Sequence, residues 1–226
     1  MRSRRATAGA AAAVLMTLAA GSAPARAEYD APLWFELDVG HKLSKTWSLA
    51  FEQHLRFDAD VSRVSQVMPD LAATARLNKW LRAMVGYRLQ YTRTGSGDFA
   101  LRHRPYLGAS ARTDLGKMRV SARLLFTEQI RGLASDELRH GVRTKLGATW
   151  RGLDRVRPGA SLEIFHTISD PDGNGGVELD KVRLGLDVET PLGAGDVGVG
   201  YRLEGAHKDP LEPVVHALVV GYALEL

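Results

Sequence analysis

The 226-residue chain has no cysteine, is 25% charged, and sets 30 Lys+Arg against 26 Asp+Glu for a formal net charge of +4. Disulfide staples, thiolate nucleophiles and cysteine-ligated metals are therefore excluded. Residues 1–27 hold four of the basic residues (Arg2, Arg4, Arg5 and Arg26) and no acid, so the remainder carries 26 of each sign and offers no electrostatic case for nucleic-acid binding.

The first element is an export signal. Arg2, Arg4 and Arg5 precede an apolar stretch that runs from Ala6 to about Gly21, and Ala25-Arg26-Ala27 forms a small-x-small cleavage site. A membrane-spanning helix needs about 20 apolar residues, and this stretch is shorter. Cleavage after Ala27 is expected. Ser3-Arg4-Arg5 is followed by Ala6-Thr7-Ala8 instead of the bulky apolar residues of a twin-arginine signal, so the general secretory route is expected. Two segments result: a signal peptide, 1–27, and a mature domain, 28–226.

From Leu33 onward residue types separate by parity. After Trp47 one side reads Leu49, Phe51, Gln53, Leu55, Phe57 and the other Ser48, Ala50, Glu52, His54, Arg56. After Trp80 the pattern returns as Leu81, Ala83, Val85, Tyr87, Leu89, Tyr91 against Arg82, Met84, Gly86, Arg88, Gln90. A period of two is the signature of a strand with one apolar face, and helical spacing does not produce it. The same reading gives strands over 33–43, 47–57, 67–77, 81–91, 101–111, 118–126, 138–150, 160–168, 182–188, 197–203 and 214–226. Short connections (44–46, 78–79, 114–117, 193–195) alternate with longer polar ones (92–100, 129–137, 169–179), which is the porin-type arrangement.

Trp47 and Trp80 each follow a short turn and Trp150 precedes the connection 151–157, so all three fall at one end of the strands, as one half of an aromatic girdle at a membrane interface; Phe57, Tyr91 and Phe126 mark the other rim. The fold expected is an all-β antiparallel transmembrane barrel of roughly 10 to 12 strands. Bacterial barrels have even counts, so the eleven segments read here imply a miscount or an irregular end, at the 151–158 connection or in 28–32. A soluble lipocalin-like barrel or periplasmic sandwich would turn its apolar parity inward. Against it, the polar parity carries many glycines (Gly40, Gly86, Gly108, Gly141, Gly147, Gly185, Gly198, Gly200), which suit a crowded lumen better than a solvated surface.

Trp34, the hairpin Leu43-Ser44-Lys45-Thr46-Trp47-Ser48-Leu49, and Gly86-Tyr87-Arg88 after Asn78-Lys79-Trp80 resemble DUF2490, a family of unknown function. The resemblance covers nearly all of 28–226 and implies an outer-membrane barrel, with no reaction, ligand or cofactor to carry over. The last strand keeps Tyr222 but ends in Leu226 where many outer-membrane proteins end in an aromatic residue.

By parity the lumen collects a basic arc, Arg76, Arg82, Arg88, Arg102, Arg104, Arg123, Arg139, Arg143, Arg183 and Arg202, together with Arg56, Arg112, Arg119, Lys145 and Lys181. It also collects acidic partners, Glu36, Asp38, Glu52, Glu163, Asp187 and Glu189, together with Glu204. An arc facing open water would attract small anions; acids closing against it would pair with it and fill the barrel. For chemistry, Glu52 and His54 share a face as an acid/base candidate, and His166 precedes Ser169 and Asp170, but no specific catalytic motif is present. Asp170, Asp172 and Asn174 match the first half of a calcium loop, with Lys181 where a bidentate Glu is needed, so the segment reads as a turn before it reads as a metal site. The expected role is a structural or small-solute/anion pore component, monomeric, in contact with outer-membrane lipids and the barrel assembly machinery, and without a cofactor; the alternative is a surface enzyme acting on lipid or peptide.

Overall fold

Alternating side chains commit each segment to extended backbone, and hairpin after hairpin lays the segments side by side. The computed structural model describes residues 32–58, 61–131, 138–169, 176–206 and 214–226. Among these, eleven strands run in chain order: β1 Leu33–Lys42, β2 Trp47–Asp58, β3 Arg63–Arg76, β4 Leu81–Arg93, β5 Phe99–Leu115, β6 Met118–Arg131, β7 Leu138–Trp150, β8 Arg157–Ser169, β9 Glu178–Leu192, β10 Gly195–Ala206 and β11 Val215–Glu225. Each pairs antiparallel with the next, and β1 closes the barrel on β11. Residues 1–27, expected to be a signal peptide, the 132–137 connection and Asp170, Asp172 and Asn174 lie outside the described residues.

The closure corrects one expectation. Ten hairpins reverse the chain ten times, so β1 and β11 run the same way, and their pairing is parallel from Leu33↔Leu218 to Gly40↔Glu225. The barrel is thus mixed, not wholly antiparallel, and the described residues close it with eleven strands: Pro32 adds none, residues 28–31 lie outside the described residues, and the poorly alternating stretch ahead of Ala160 contributes only an extension of β8 back to Arg157. Several other strands also overrun their apolar pattern. β5 occupies Phe99–Leu115 and β9 Glu178–Leu192, each beginning before and ending after the alternating core.

Local chemistry fixes the turns. Ser44 Oγ accepts from the backbone N–H of Thr46 and Trp47 at 3.2 and 3.0 Å, and Asn78 Oδ1 does the same for Trp80 and Leu81 at 2.9 and 2.8 Å. Two-residue turns join β5 to β6 and β9 to β10; Gly116 (φ 62°) and Gly193 (φ 64°) open them in the left-handed region that a hairpin turn of this length requires. At the opposite end Asp58 and Arg63 clamp the β2–β3 connection through a 2.8 Å ion pair.

The two faces of the wall are inverted relative to a soluble barrel. Leu186 (62% exposed), Leu107 (60%), Val85 (58%) and Leu218 (58%) stand on the outside, whereas Asp70 (2%) and Glu163 (3%) are buried inside. Trp47, Trp80 and Trp150 are exposed at the end that carries the shorter turns.

Candidate functional site in the barrel lumen

Side chains from strands that are not neighbours meet only inside a barrel, and such meetings define the lumen. Arg183 on β9 lies over the ring of Trp34 on β1, with 5.1 Å between guanidinium carbon and ring centroid, and Arg56 on β2 covers the same ring at 4.0 Å. Phe165 on β8 is faced by Arg143, Lys181 and Arg183 at 5.0, 4.9 and 5.0 Å. Two aromatic rings therefore separate cations that would otherwise repel, each gaining the ring's negative face.

Glu163 is the hub of the ion pairs. It takes Arg143 Nε at 2.5 Å and Nη2 at 2.9 Å, Arg183 Nη1 at 3.1 Å, and Arg123 from β6 at 3.7 Å. Glu204 binds Lys181 Nζ at 2.8 Å and also Arg183. Three cations around one carboxylate and two around the next give charge-assisted, partly bidentate bonding on a buried site, the arrangement that offsets desolvation best. Nearby, Arg202 pairs with Asp187 at 2.6 Å.

A second cluster rests on a glycine. Tyr106 on β5 lies flat over Gly86 on β4, where an added Cβ would sit 2.2 Å from the Tyr106 ring. Because that position has no side chain, the phenol reaches across β4 to donate to Asp70 Oδ1 on β3 at 2.7 Å. Asp70 Oδ2 accepts from Arg88 Nε at 2.7 Å, and Arg88 also approaches Glu52 at 3.8 Å. Glu52 and Glu36 flank His54 at 3.2 and 3.5 Å, one on each ring nitrogen. The Glu52–His54 pair is thus knitted into the network.

Towards the mouth with the longer connections, Arg104 donates to Gln129 Oε1 (2.9 Å from Nε) and Arg139 approaches Asp180 at 3.6 Å; Arg102 stands opposite Gln90 and Arg131 in the wall. Towards the other mouth, Glu189 meets Arg157 at 3.7 Å and Asp38 lines the cavity, while Arg76, Arg82 and Arg112 stand at the rim with no ion pair among the described residues. His166 pairs in register with Leu179 and borders a cavity beside Arg104 and Arg143, but among the described residues no side-chain hydrogen bond or ion pair ties it to the network. Among the described residues no group of three or more His, Asp or Glu is set to hold a metal.

Asp70, Tyr106 and Phe165 are not singled out by the sequence pattern, and Trp34 enters it only through the family resemblance. Asp70 shares the parity of Met68 and Ala72 and is available to it; the three aromatics sit on the polar parity and read as exceptions until the cations over Trp34 and Phe165 and the hydrogen bond from Tyr106 to Asp70 are known.

Between the Glu163 and His54 clusters lies a cavity of about 190 Å³ bounded by Glu36, Glu52, His54, Arg143, Glu163 and Arg202. A family model for proteins of unknown function, DUF2490, matches residues 31–204. The chain belongs to the DUF2490 family. The matched segment of this DUF2490 chain runs from the start of β1 to Glu204 in β10, so Trp34, Asp70, Glu163 and Glu204 all lie within it. No curated protein matches the chain.

Proposed function

We propose that this DUF2490 protein is an outer-membrane barrel, exported with loss of residues 1–27, whose lumen is held shut across its middle by ion pairs, so that it serves as a structural membrane component and not as an open diffusion pore. The observation that carries the reading is the inversion of faces: apolar side chains such as Leu107 and Leu186 stand outside while Asp70 and Glu163 are buried inside. In water that arrangement exposes the apolar surface and desolvates the charge; in a bilayer the same outward belt is solvated by lipid, and closure of the sheet leaves no unpaired edge.

Closure of the lumen is supported by the crossing contacts. Eleven strands enclose more space than the eight that side chains fill easily, and here arginines and aromatic rings occupy it, leaving the cavity of about 190 Å³ around Glu163. Outer-membrane lipids contact the belt, the assembly machinery inserts the chain, and a monomer satisfies the geometry because the barrel closes on itself.

The test is to refold residues 28–226 into vesicles, establish heat-dependent gel mobility, and record currents in a planar bilayer. A silent, folded barrel is the expected result. Stepwise conductance with anion preference in the unaltered protein would overturn closure and return the basic arc to a selective pore.

A further inference from the structure

Almost every arginine deep in the lumen has an acidic or aromatic partner, and three at one rim do not. Arg76 at the end of β3 stands directly opposite Arg82 at the start of β4, and Arg112 on β5 is two residues beyond Ser110, the register partner of Arg82. With strands about 4.8 Å apart and about 3.3 Å per residue along each, the three backbones lie within roughly 12 Å of one another. Like charges placed face to face across a ladder are destabilising, and none of the three is in an ion pair or side-chain hydrogen bond among the described residues. A neighbouring cation at the same rim is treated differently: Arg119 is held by Asp114 at 2.8 Å.

The trio opens on a vestibule of about 1020 Å³ at this end of the barrel. Its opposite wall bears Asp38, Asp196 and Glu225, but Asp196 is taken by Arg157 at 2.5 Å and Glu225 by Lys42 at 2.6 Å. Among the described residues Asp38 is the acid of that wall left outside an ion pair, and Lys45 adds a further cation. The uncompensated charge of the vestibule is therefore positive and concentrated on one wall of its mouth, where Arg82 is half-buried and Arg76 and Arg112 are exposed to the entering solvent.

We propose that Arg76, Arg82 and Arg112 form a binding site, at the mouth carrying the shorter turns, for a soluble small molecule bearing two or more phosphate groups. Guanidinium forks match phosphate oxygens two at a time, and a singly charged anion would neutralise only part of the trio. The site faces the lumen, away from the lipid-contacting belt, so the ligand enters from the aqueous phase. The inference needs the barrel and not the membrane reading, and an open or a closed mid-lumen leaves it unaltered.

The test uses refolded 28–226 in detergent at low ionic strength, with inorganic tripolyphosphate and orthophosphate as probes in titration calorimetry. Tripolyphosphate is expected to bind with a stoichiometry of one, at least tenfold more tightly than orthophosphate, and Arg82→Gln to weaken it at least tenfold while Arg119→Gln does not. A melting series separates a binding site from a structural one: relief of like-charge repulsion predicts that Arg82→Gln and Arg112→Gln melt no lower than the parent, and that tripolyphosphate raises the melting temperature of the parent alone. Equal affinity in parent and Arg82→Gln, absence of saturable binding, or variants that melt well below the parent would each overturn the proposal.

Discussion

Glu163 sits 3% exposed among three guanidinium groups, and its carboxylate is the charge that makes their burial tolerable. Replacing one partner of a buried ion pair leaves the other uncompensated, at a cost of about 3–5 kcal/mol. Glu163→Gln keeps the shape and removes the charge, so it is expected to lower the unfolding free energy of the refolded barrel, measured by urea titration, by that amount, whereas Asp180→Asn, at a more exposed pair, is expected to change it by less than about 1 kcal/mol. Parity alone reveals that Glu163 and Arg143 share a face, because period-two alternation is a property of neighbouring residues. It does not reveal that Arg183 reaches Trp34, or that Tyr106 reaches Asp70. Those meetings depend on barrel closure and on a missing side chain at Gly86, and both lie beyond any window of consecutive residues.

At the scale of single elements, the strand cores are legible and their ends are not. The apolar parity lasts only as long as the outward belt, while hydrogen bonding continues past it: β5 extends through Arg112-Thr113-Asp114-Leu115, where Thr113 interrupts the outer apolar face and alternation loses its contrast. The turns are legible where a glycine marks them. Gly116 holds φ 62° between β5 and β6, and a β-branched residue there meets a steric penalty of about 1–2 kcal/mol. Gly116→Val is therefore expected to destabilise the barrel by that amount and to slow refolding, measured by the appearance of the heat-modifiable band; Gly116→Asn, which tolerates the left-handed region, is expected to retain most of the parent's stability.

For the molecule as a whole, the inverted faces predict opposite responses to one substitution in two kinds of barrel. Leu107→Arg places a charge on the belt at a position 60% exposed. In a bilayer this costs about 2–4 kcal/mol near the midplane; on a soluble barrel it would improve solubility. Refolding yield into vesicles is expected to fall, and an unchanged yield would count against insertion of this face. The closure is equally open to test. The chain lacks cysteine, so Leu37→Cys with Tyr222→Cys, which are register partners across the β1–β11 pairing, introduces one thiol pair into a clean background. A short bifunctional thiol reagent is expected to join them, and Leu37→Cys with Val215→Cys is expected to remain unjoined. The alternation identified eleven segments, but the direction of the closing pair follows only from counting the reversals between them.

That parallel closure also governs how the wall would bear load. β1 begins at the mouth carrying the longer connections and β11 finishes at the other, with eight residue pairs between Leu33↔Leu218 and Gly40↔Glu225. Traction applied to the outer ends of these two strands draws them past each other lengthwise, so the bonds of the closing ladder share the strain together instead of opening one after another, as they would in an antiparallel closure pulled from one rim. Mechanically, the join behaves as a lap joint and not as a zip.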